Sequence, residues 1–480
     1  MNLKQKSISG LKWTSFSSVI VALVQVLQLV VLAKILGPEA YGTMAILNVV
    51  VGFSALFVDL GMSKIIIHKQ DSITENQLHS LYWFNIFLAL FVYGLVYLSA
   101  NLVANFYNNI ELEFLLQLLS TTFIIKAFAI QYNVILQKEM LFKCLEIIGI
   151  VAIFLNFVIA LLFAMNGYGV ISLIYATIIS SIFSSILTLY YGSRFHKIKF
   201  YFSFLQIKEF FSFGLYWTGS KFLGNFAGNI DIIILGKVFD QQILGIYHIA
   251  KQLVLKPSQI LLPVVTKVSY PIFGKIQNDI SKTKDYYLGM IGLLSFLIFP
   301  MYGLLFLLSS EIVNIFLGRE WIDSISIIQS LVFYAAVITV GTPIGSLIMA
   351  KGKANWNFWW NVFWLVFVAV LMMSVYRYGI VIVAISISLS QLILTFIGFK
   401  FMVSKLIDVS FFEYYRNIFL SLAISAIGLI IVYIGINIFN FGLVFGIIFK
   451  IIIFTIIYLL LSYIFNKEII FKLRGLIKNG

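Results

Sequence analysis

Lys126, Lys221, Lys251 and Lys256 interrupt stretches of sequence that are otherwise apolar. A charged group at the centre of a bilayer costs about 2.5–3.5 kcal/mol on insertion scales, so each of these lysines marks a candidate cavity or pathway. The fullest pattern lies in the stretch 244–273. There His248, Gln252, Lys256, Gln259, Pro263 and Lys267 fall at i, i+4, i+8, i+11, i+15 and i+19, on one face of an α-helix. Lys251 stands beside that stripe. A polar face of this length needs water, a polar neighbour or a substrate against it. Lys267 and His248 are near enough to the ends to reach an interface. Lys256 is not, and two readings of it stay open: lining a hydrated cavity, or pairing with a carboxylate on a neighbouring helix.

The stretch 210–238 places Lys221, Gly224, Gly228 and Asp231 within one sector of a helix. The glycines either permit close helix packing or leave room for a ligand. Packing does not explain Asp231. Ser18, Gln25 and Gln28 occupy the matching places in the first apolar stretch, so polar groups recur at the same depth. Lys126, followed by Gln131 and Asn133, is the clearest basic intruder in the first half, while Asp59 reads as interfacial, within reach of Lys64.

Several chemistries are missing. Gly214–Lys221 reads GLYWTGSK, which misplaces the lysine of a phosphate-binding loop and lies within an apolar stretch. There is no HExxH, the single cysteine, Cys144, excludes an internal disulfide, and the four histidines show no metal-ligand spacing. No metal and no cofactor are expected. The largest loop on the side opposite the termini, Ser309 to Asp323, offers only Glu311, Arg319, Glu320 and Asp323, which argues against an enzyme.

The elements that must position these residues are membrane helices. Of 480 residues 61% are hydrophobic and 11% charged, with a mean hydropathy of +1.02, against about 45–50% and about 25% in soluble domains. Apolar runs long enough to cross ~30 Å of hydrocarbon fall near 14–36, 41–62, 80–104, 114–136, 146–165, 168–191, 210–238, 244–273, 286–308, 324–350, 356–376, 379–403, 415–437 and 441–465. The expected fold is therefore an all-α integral membrane protein of about fourteen transmembrane helices. The N-terminus, the loops on its side with their flanking turns, and the C-terminal tail hold 23 of the 33 Lys and Arg residues, and the opposite loops hold four. That excess places both termini in the cytoplasm. It also accounts for the net charge of +14 without nucleic acid.

The chain repeats itself. Trp13-Thr14 recurs as Trp217-Thr218, and Leu32-Ala-Lys-Ile-Leu-Gly-Pro-Glu-Ala-Tyr-Gly42 recurs as Leu235-Gly-Lys-Val-Phe-Asp-Gln-Gln-Ile-Leu-Gly245. Tyr168-Gly169-Val170 corresponds to Tyr378-Gly379-Ile380. The organisation read from this is two pseudo-symmetric six-helix lobes, 1–191 and 210–405, joined by a basic and aromatic linker, 192–209, and followed by two C-terminal helices and a basic tail, 406–480. Both lobes start from the same side, a parallel repeat. The linker, with Arg194, Lys197 and Lys199 among Phe195, Phe200, Phe202 and Phe204, is expected to lie on the cytoplasmic lipid surface. Trp356, Trp359, Trp360 and Trp364 read as an aromatic belt, with sugar or lipid stacking as the alternative.

Six helices, six helices and two more, with LAxxLGPxxYG filled by Leu32, Ala33, Leu36, Gly37, Pro38, Tyr41 and Gly42 and with DLGMSKIIIHKQ at Asp59–Gln70, resemble the polysaccharide transporter family of Wzx-like flippases. That family belongs to the multidrug/oligosaccharidyl-lipid/polysaccharide exporter superfamily. The resemblance covers essentially the whole chain. It implies a carrier of the bacterial cytoplasmic membrane that moves an undecaprenyl-diphosphate-linked oligosaccharide to the outer leaflet by alternating access, coupled to H+ or Na+. Under it Lys251, Lys256, Lys126 and Lys221 attract the diphosphate or acidic sugars, since charge in a low-dielectric slab needs compensation. Gln252 and Gln259 hydrogen-bond glycan hydroxyls, Gln25 and Gln28 line the substrate cavity with them, and Asp231 is the candidate for ion coupling. Expected partners are the lipid-linked saccharide, membrane lipids and polysaccharide assembly enzymes, with a monomer as the carrier. A drug exporter of the same superfamily, or a membrane polysaccharide polymerase or ligase, is the alternative.

Overall fold

The computed structural model describes residues 3–63, 66, 73–438, 443–467 and 469. Most of DLGMSKIIIHKQ beyond Ser63, including Lys64, and the basic tail beyond Ile469 lie outside the described residues, as does the side chain of Lys267. Leu3–Asp59 comprises two helices, α1 and α2, that meet where Gly37 takes φ 71°, ψ 176° and Pro38 opens the second. Positive φ suits glycine, and proline at a helix start loses no bond. There follow α3 (Glu75–Tyr107), α4 (Glu111–Lys138), α5 (Phe142–Met165), α6 (Ile171–Gly192), α7 (Phe204–Val238), α8 (Gln241–Ile276) and α9 (Ile280–Leu307). The remainder is α10 (Ser324–Ala350), α11 (Ala354–Val375), α12 (Ile380–Gly398), α13 (Phe411–Ile438) and α14 (Leu443–Phe465).

Eleven stretches among the described residues are long and apolar enough to cross a membrane. The first of them contains both α1 and α2. Outside the eleven stand α7 and α8, of 35 and 36 residues, whose length suffices but whose polar faces break the apolar window. The expected all-α membrane fold of about fourteen helices is what forms. Large apolar side chains point outward, Leu98 at 78% and Leu102 at 70% exposure, which water would penalise and lipid does not.

The chain divides into two compact units, Met1–Gly245 and Ile246–Gly480. In the first, α3 packs on α4, α4 and α5 on α6, and α5 and α7 on the α1–α2 pair. In the second, α9 packs on α13 and α10, and α10 on α12. Small hydroxyl residues fill these contacts. Ser80, Ser120, Ser172 and Ser309 are fully buried and donate to carbonyls three or four residues back in the chain, which satisfies their hydroxyl protons locally.

The two matched turns of the repeat meet within the first unit. A Cβ on Gly42 would collide with the backbone carbonyl of Gln241, and one on Gly245 with the carbonyl of Pro38. Under the repeat Pro38 corresponds to Gln241 and Gly42 to Gly245. The contact is thus reciprocal, and only glycine fits on either side.

Three polar side chains tie helices of the second unit together where the bilayer supplies no partner. Pro300 inside α9 has no N–H for the carbonyl of Phe296, and the Tyr458 hydroxyl donates to that carbonyl at 2.8 Å. Ser425 Oγ donates to Phe299 O at 3.1 Å. Lys450 of α14 forms an ion pair with Glu311 and also donates to Leu307 O at 3.2 Å. Tyr458→Phe should cost about 1–3 kcal/mol by orphaning a buried carbonyl, read as a lower unfolding temperature in detergent. Pro300→Ala restores the N–H, so the loss should shrink in the double variant.

Candidate functional site

The expected site residues divide between the units. Gln25, Gln28, Lys126, Lys221 and Asp231 belong to the first. Lys251, Gln252, Lys256 and Gln259 belong to the second.

In the first unit, Gln28 of α1 donates through Nε2 to Asn156 Oδ1 of α5 at 2.8 Å, and Asn156 Nδ2 donates to Ser180 Oγ of α6 at 3.2 Å. This chain of amides crosses three helices. Asn156 and Ser180 escaped the sequence reading because isolated neutral polar residues in apolar spans carry no spacing signal. Gln25 is exposed, as is Lys221, and both have interactions within the protein. Asp231 is 7% exposed, and its Oδ1 accepts the Ile232 N–H at 2.9 Å. On α7 the ring of Phe222 stacks on Phe226, and both lie against Phe53 of α2. These rings lie on the face of α7 opposite the glycines, and a Cβ on Gly224 or Gly228 would meet nothing within 4 Å.

Lys126, itself exposed, lines an open cavity of about 460 Å³ bounded by the end of α2 and by α4, α5 and α6. Its other polar lining residues include Asp59, Asn133, Gln137 and Thr188. Asp59 Oδ1 accepts from Ser63 N at 3.1 Å and Ser63 Oγ at 2.7 Å, and Gln137 Nε2 donates to Asn133 Oδ1 at 2.6 Å. None of the other expected site residues lines this cavity. Gln131, five residues after Lys126, faces the other way and donates to Leu78 O at 2.9 Å, a packing contact.

In the second unit α8 runs unbroken from Gln241 to Ile276, so the polar stripe does lie along one helix. His248 Nε2 lies 2.6 Å from Gln252 Nε2, a bond the ring accepts when its proton sits on Nδ1. Lys251, Gln252 and Lys256 are half-buried and Gln259 is exposed. Lys251 and Lys256 both have interactions within the protein. A second cavity, of about 230 Å³, lies among α10, α11 and α12 with Thr342, Asn357, Gln391 and Thr395 on its walls. Trp360 is shared between it and an open aromatic groove formed with Trp356, Trp359 and Phe363.

The linker between α6 and α7 is bound to α3. Lys199 N donates to His79 Nδ1 at 3.3 Å, Trp83 Nε1 to Lys199 O at 3.1 Å and Ser203 N to Ser80 Oγ at 3.0 Å. Its rings stay outside: Phe200 is 89% exposed, a geometry that suits a lipid surface. The His196 ring stacks on His79 at 5.1 Å. Burial, and then the neighbouring His79, hold the His196 pKa below its ordinary 6.5. Above that value the ring is neutral whether the linker is docked or free. As pH falls below about 6.5 the free linker takes up a proton first, so docking weakens on acidification. Hydrogen-exchange protection at Lys199 and Ser203 should fall severalfold between pH 7.5 and 5.5, and His196→Asn should flatten that dependence.

Comparison with known proteins places these features. A family model described as "Polysaccharide biosynthesis protein" matches residues 31–326. The lipopolysaccharide biosynthesis protein WzxC of Escherichia coli (strain K12) is 26% identical over 90% of this chain and 88% of its own length. The teichuronic acid biosynthesis protein TuaB of Bacillus subtilis (strain 168) is 28% identical over 88% of both chains. Among solved structures, the lipid II flippase MurJ in an inward closed conformation superposes with a TM-score of 0.78 over 96% of this chain and all of its own, at 18% identity. An inward-facing multidrug resistance MATE family transporter of the MOP superfamily gives 0.65 over 82% of this chain and 98% of its own, at 17% identity.

Proposed function

Since the chain belongs to the polysaccharide biosynthesis protein family, we propose that it is a flippase moving a lipid-linked oligosaccharide across the bacterial cytoplasmic membrane for surface polysaccharide synthesis. The observation that carries this reading is the identity with WzxC and TuaB, two polysaccharide biosynthesis proteins, along nearly nine-tenths of the chain. The likeness to MurJ and to MATE transporters is one of fold and carries no substrate.

The chemistry of the spans supports the reading. An undecaprenyl-diphosphate headgroup crossing hydrocarbon needs positive charge and hydrogen-bond donors along its way. Lys251, Gln252, Lys256 and Gln259 supply both on α8, and Lys126, Lys221, Gln25 and Gln28 supply them in the first unit. Asp231, buried on α7, is the residue for proton or sodium coupling. The termini lie in the cytoplasm, on the side that holds the excess of Lys and Arg. The carrier works as a monomer, and the polysaccharide assembly enzymes supply and consume its substrate.

Lys256→Gln removes one counter-charge from the path. It should reduce translocation of a fluorescent undecaprenyl-diphosphate oligosaccharide in proteoliposomes roughly tenfold or more, with normal membrane insertion. Unchanged translocation removes Lys256 from the path, and no translocation by the unmodified protein overturns the function. Asp231→Asn should leave exchange without a gradient intact while abolishing its acceleration by an imposed H+ or Na+ gradient. Acceleration that survives excludes Asp231 as the coupling group.

A further inference from the structure

Each unit contains a cavity built on the same plan. In the first, α4 contributes Lys126, Ala129, Ile130 and Asn133; in the second, α10 contributes Ile338, Gly341, Thr342 and Gly345 with identical i, i+3, i+4, i+7 spacing. Ser184, Ser185 and Thr188 of α6 are matched by Leu394, Thr395 and Gly398 of α12, and Leu145 and Ile148 of α5 by Asn357 and Trp360 of α11. The repeat read in the sequence is here a repeated hollow. Such a hollow is a consequence of how the three helices pack, and it forms without a charge, because Ile338 occupies in the second unit the place that Lys126 occupies in the first.

A lysine at mid-helix is therefore an addition to a cavity that does not require it, made against an insertion cost of about 2.5–3.5 kcal/mol. No hydrogen bond or ion pair of Lys126 occurs among the described residues. What surrounds it is suited to a sugar. Asn133 and Gln137 offer amides, and Ser185 and Thr188 offer hydroxyls. Asp59 accepts hydrogen bonds and repels a second anion on its own wall. The volume, about 460 Å³, lies within the roughly 300–1,000 Å³ of small-molecule sites and is that of one sugar ring with its phosphate rather than of an oligosaccharide.

We propose that the cavity beside Lys126 binds a sugar phosphate, with the phosphate at Lys126 and the sugar hydroxyls toward Asp59 and α6. This deepens the flippase reading and rests on it for its role, which is to receive the first sugar and adjoining phosphate of the carried lipid in the cytoplasmic half of the first unit. The matching cavity of the second unit, with Ile338, has no lysine among its lining residues, so binding at one of the two hollows is expected.

The test is calorimetric titration of the full-length protein in nanodiscs of zwitterionic lipid with glucose 1-phosphate. Binding should be at one site, with inorganic phosphate competing and glucose alone at least tenfold weaker. Lys126→Met should weaken it at least tenfold, and Lys126→Arg should keep it within about threefold. Thr188→Leu, which fills the cavity from α6, should abolish it. It serves in place of Lys126→Met if that variant unfolds. Absence of binding to the unmodified protein, or binding that both variants retain, overturns the proposal. So does the case in which phosphatidylglycerol binds through Lys126 and glucose 1-phosphate does not, which makes the site one for a lipid headgroup. Proteoliposome translocation is read in parallel. Lys126-dependent binding without translocation keeps the site and refutes the flippase, while translocation without binding does the reverse.

Discussion

A hydrocarbon slab offers no hydrogen bonds, and the structure follows from that deficit. Each backbone group must be satisfied within the protein, so every spanning element is a helix. Where a helix gives up a bond, another side chain replaces it. Pro300 leaves the carbonyl of Phe296 without a donor, and the hydroxyl of Tyr458, from a helix far along the chain, supplies one. Buried serines turn back onto their own helices. Lys450, which would be costly alone, meets Glu311 and the carbonyl of Leu307. Among the described residues, Lys126, Asn133 and Thr188 line one cavity, and Thr342, Asn357 and Gln391 line another.

Duplication explains where those cavities are. The two turns around Gly37–Gly42 and Asp240–Gly245 match in sequence, and they pack against each other reciprocally because both have a glycine at the point of nearest approach. The Gly-Pro of the first turn is Asp-Gln in the second, so close approach has been retained while the local turn chemistry has changed. The paired hollows among α4, α5 and α6 and among α10, α11 and α12 show the same division. Helix packing reproduces the shape in both copies. Side-chain chemistry does not follow it: Lys126 corresponds to Ile338, Ser184 to Leu394 and Ile148 to Trp360. A repeat of shape with unlike linings allows one unit to bind a charge and the other to stay neutral.

The linker between α6 and α7 depends on the same deficit at the edge of the bilayer. Its backbone has no regular structure, yet it is bonded to the first two turns of α3 through His79, Ser80 and Trp83. Its exposed phenylalanines, Phe200 at 89%, suit an interface, where rings and charges are both favoured.

The sequence by itself determined the class of the protein, the number of helices, the duplication and the place of nearly every turn. These depend on local quantities: runs of apolar residues long enough to span, breaks at Gly37-Pro38 and Asp240-Gln241, and the 3.6-residue period that aligns His248, Gln252, Lys256 and Gln259. Only the tertiary structure decided which polar residues work together, because that depends on which helices are neighbours and which way each side chain points. Lys126 and Gln131 are five positions apart on α4, and packing sends one into a cavity and the other to a carbonyl of α3. Gln28 was legible as a polar intruder, but Asn156 and Ser180, which complete its chain, were not. Lys126 is legible in the sequence as a charge within an apolar stretch; the hollow it lines exists only when α4, α5 and α6 are packed.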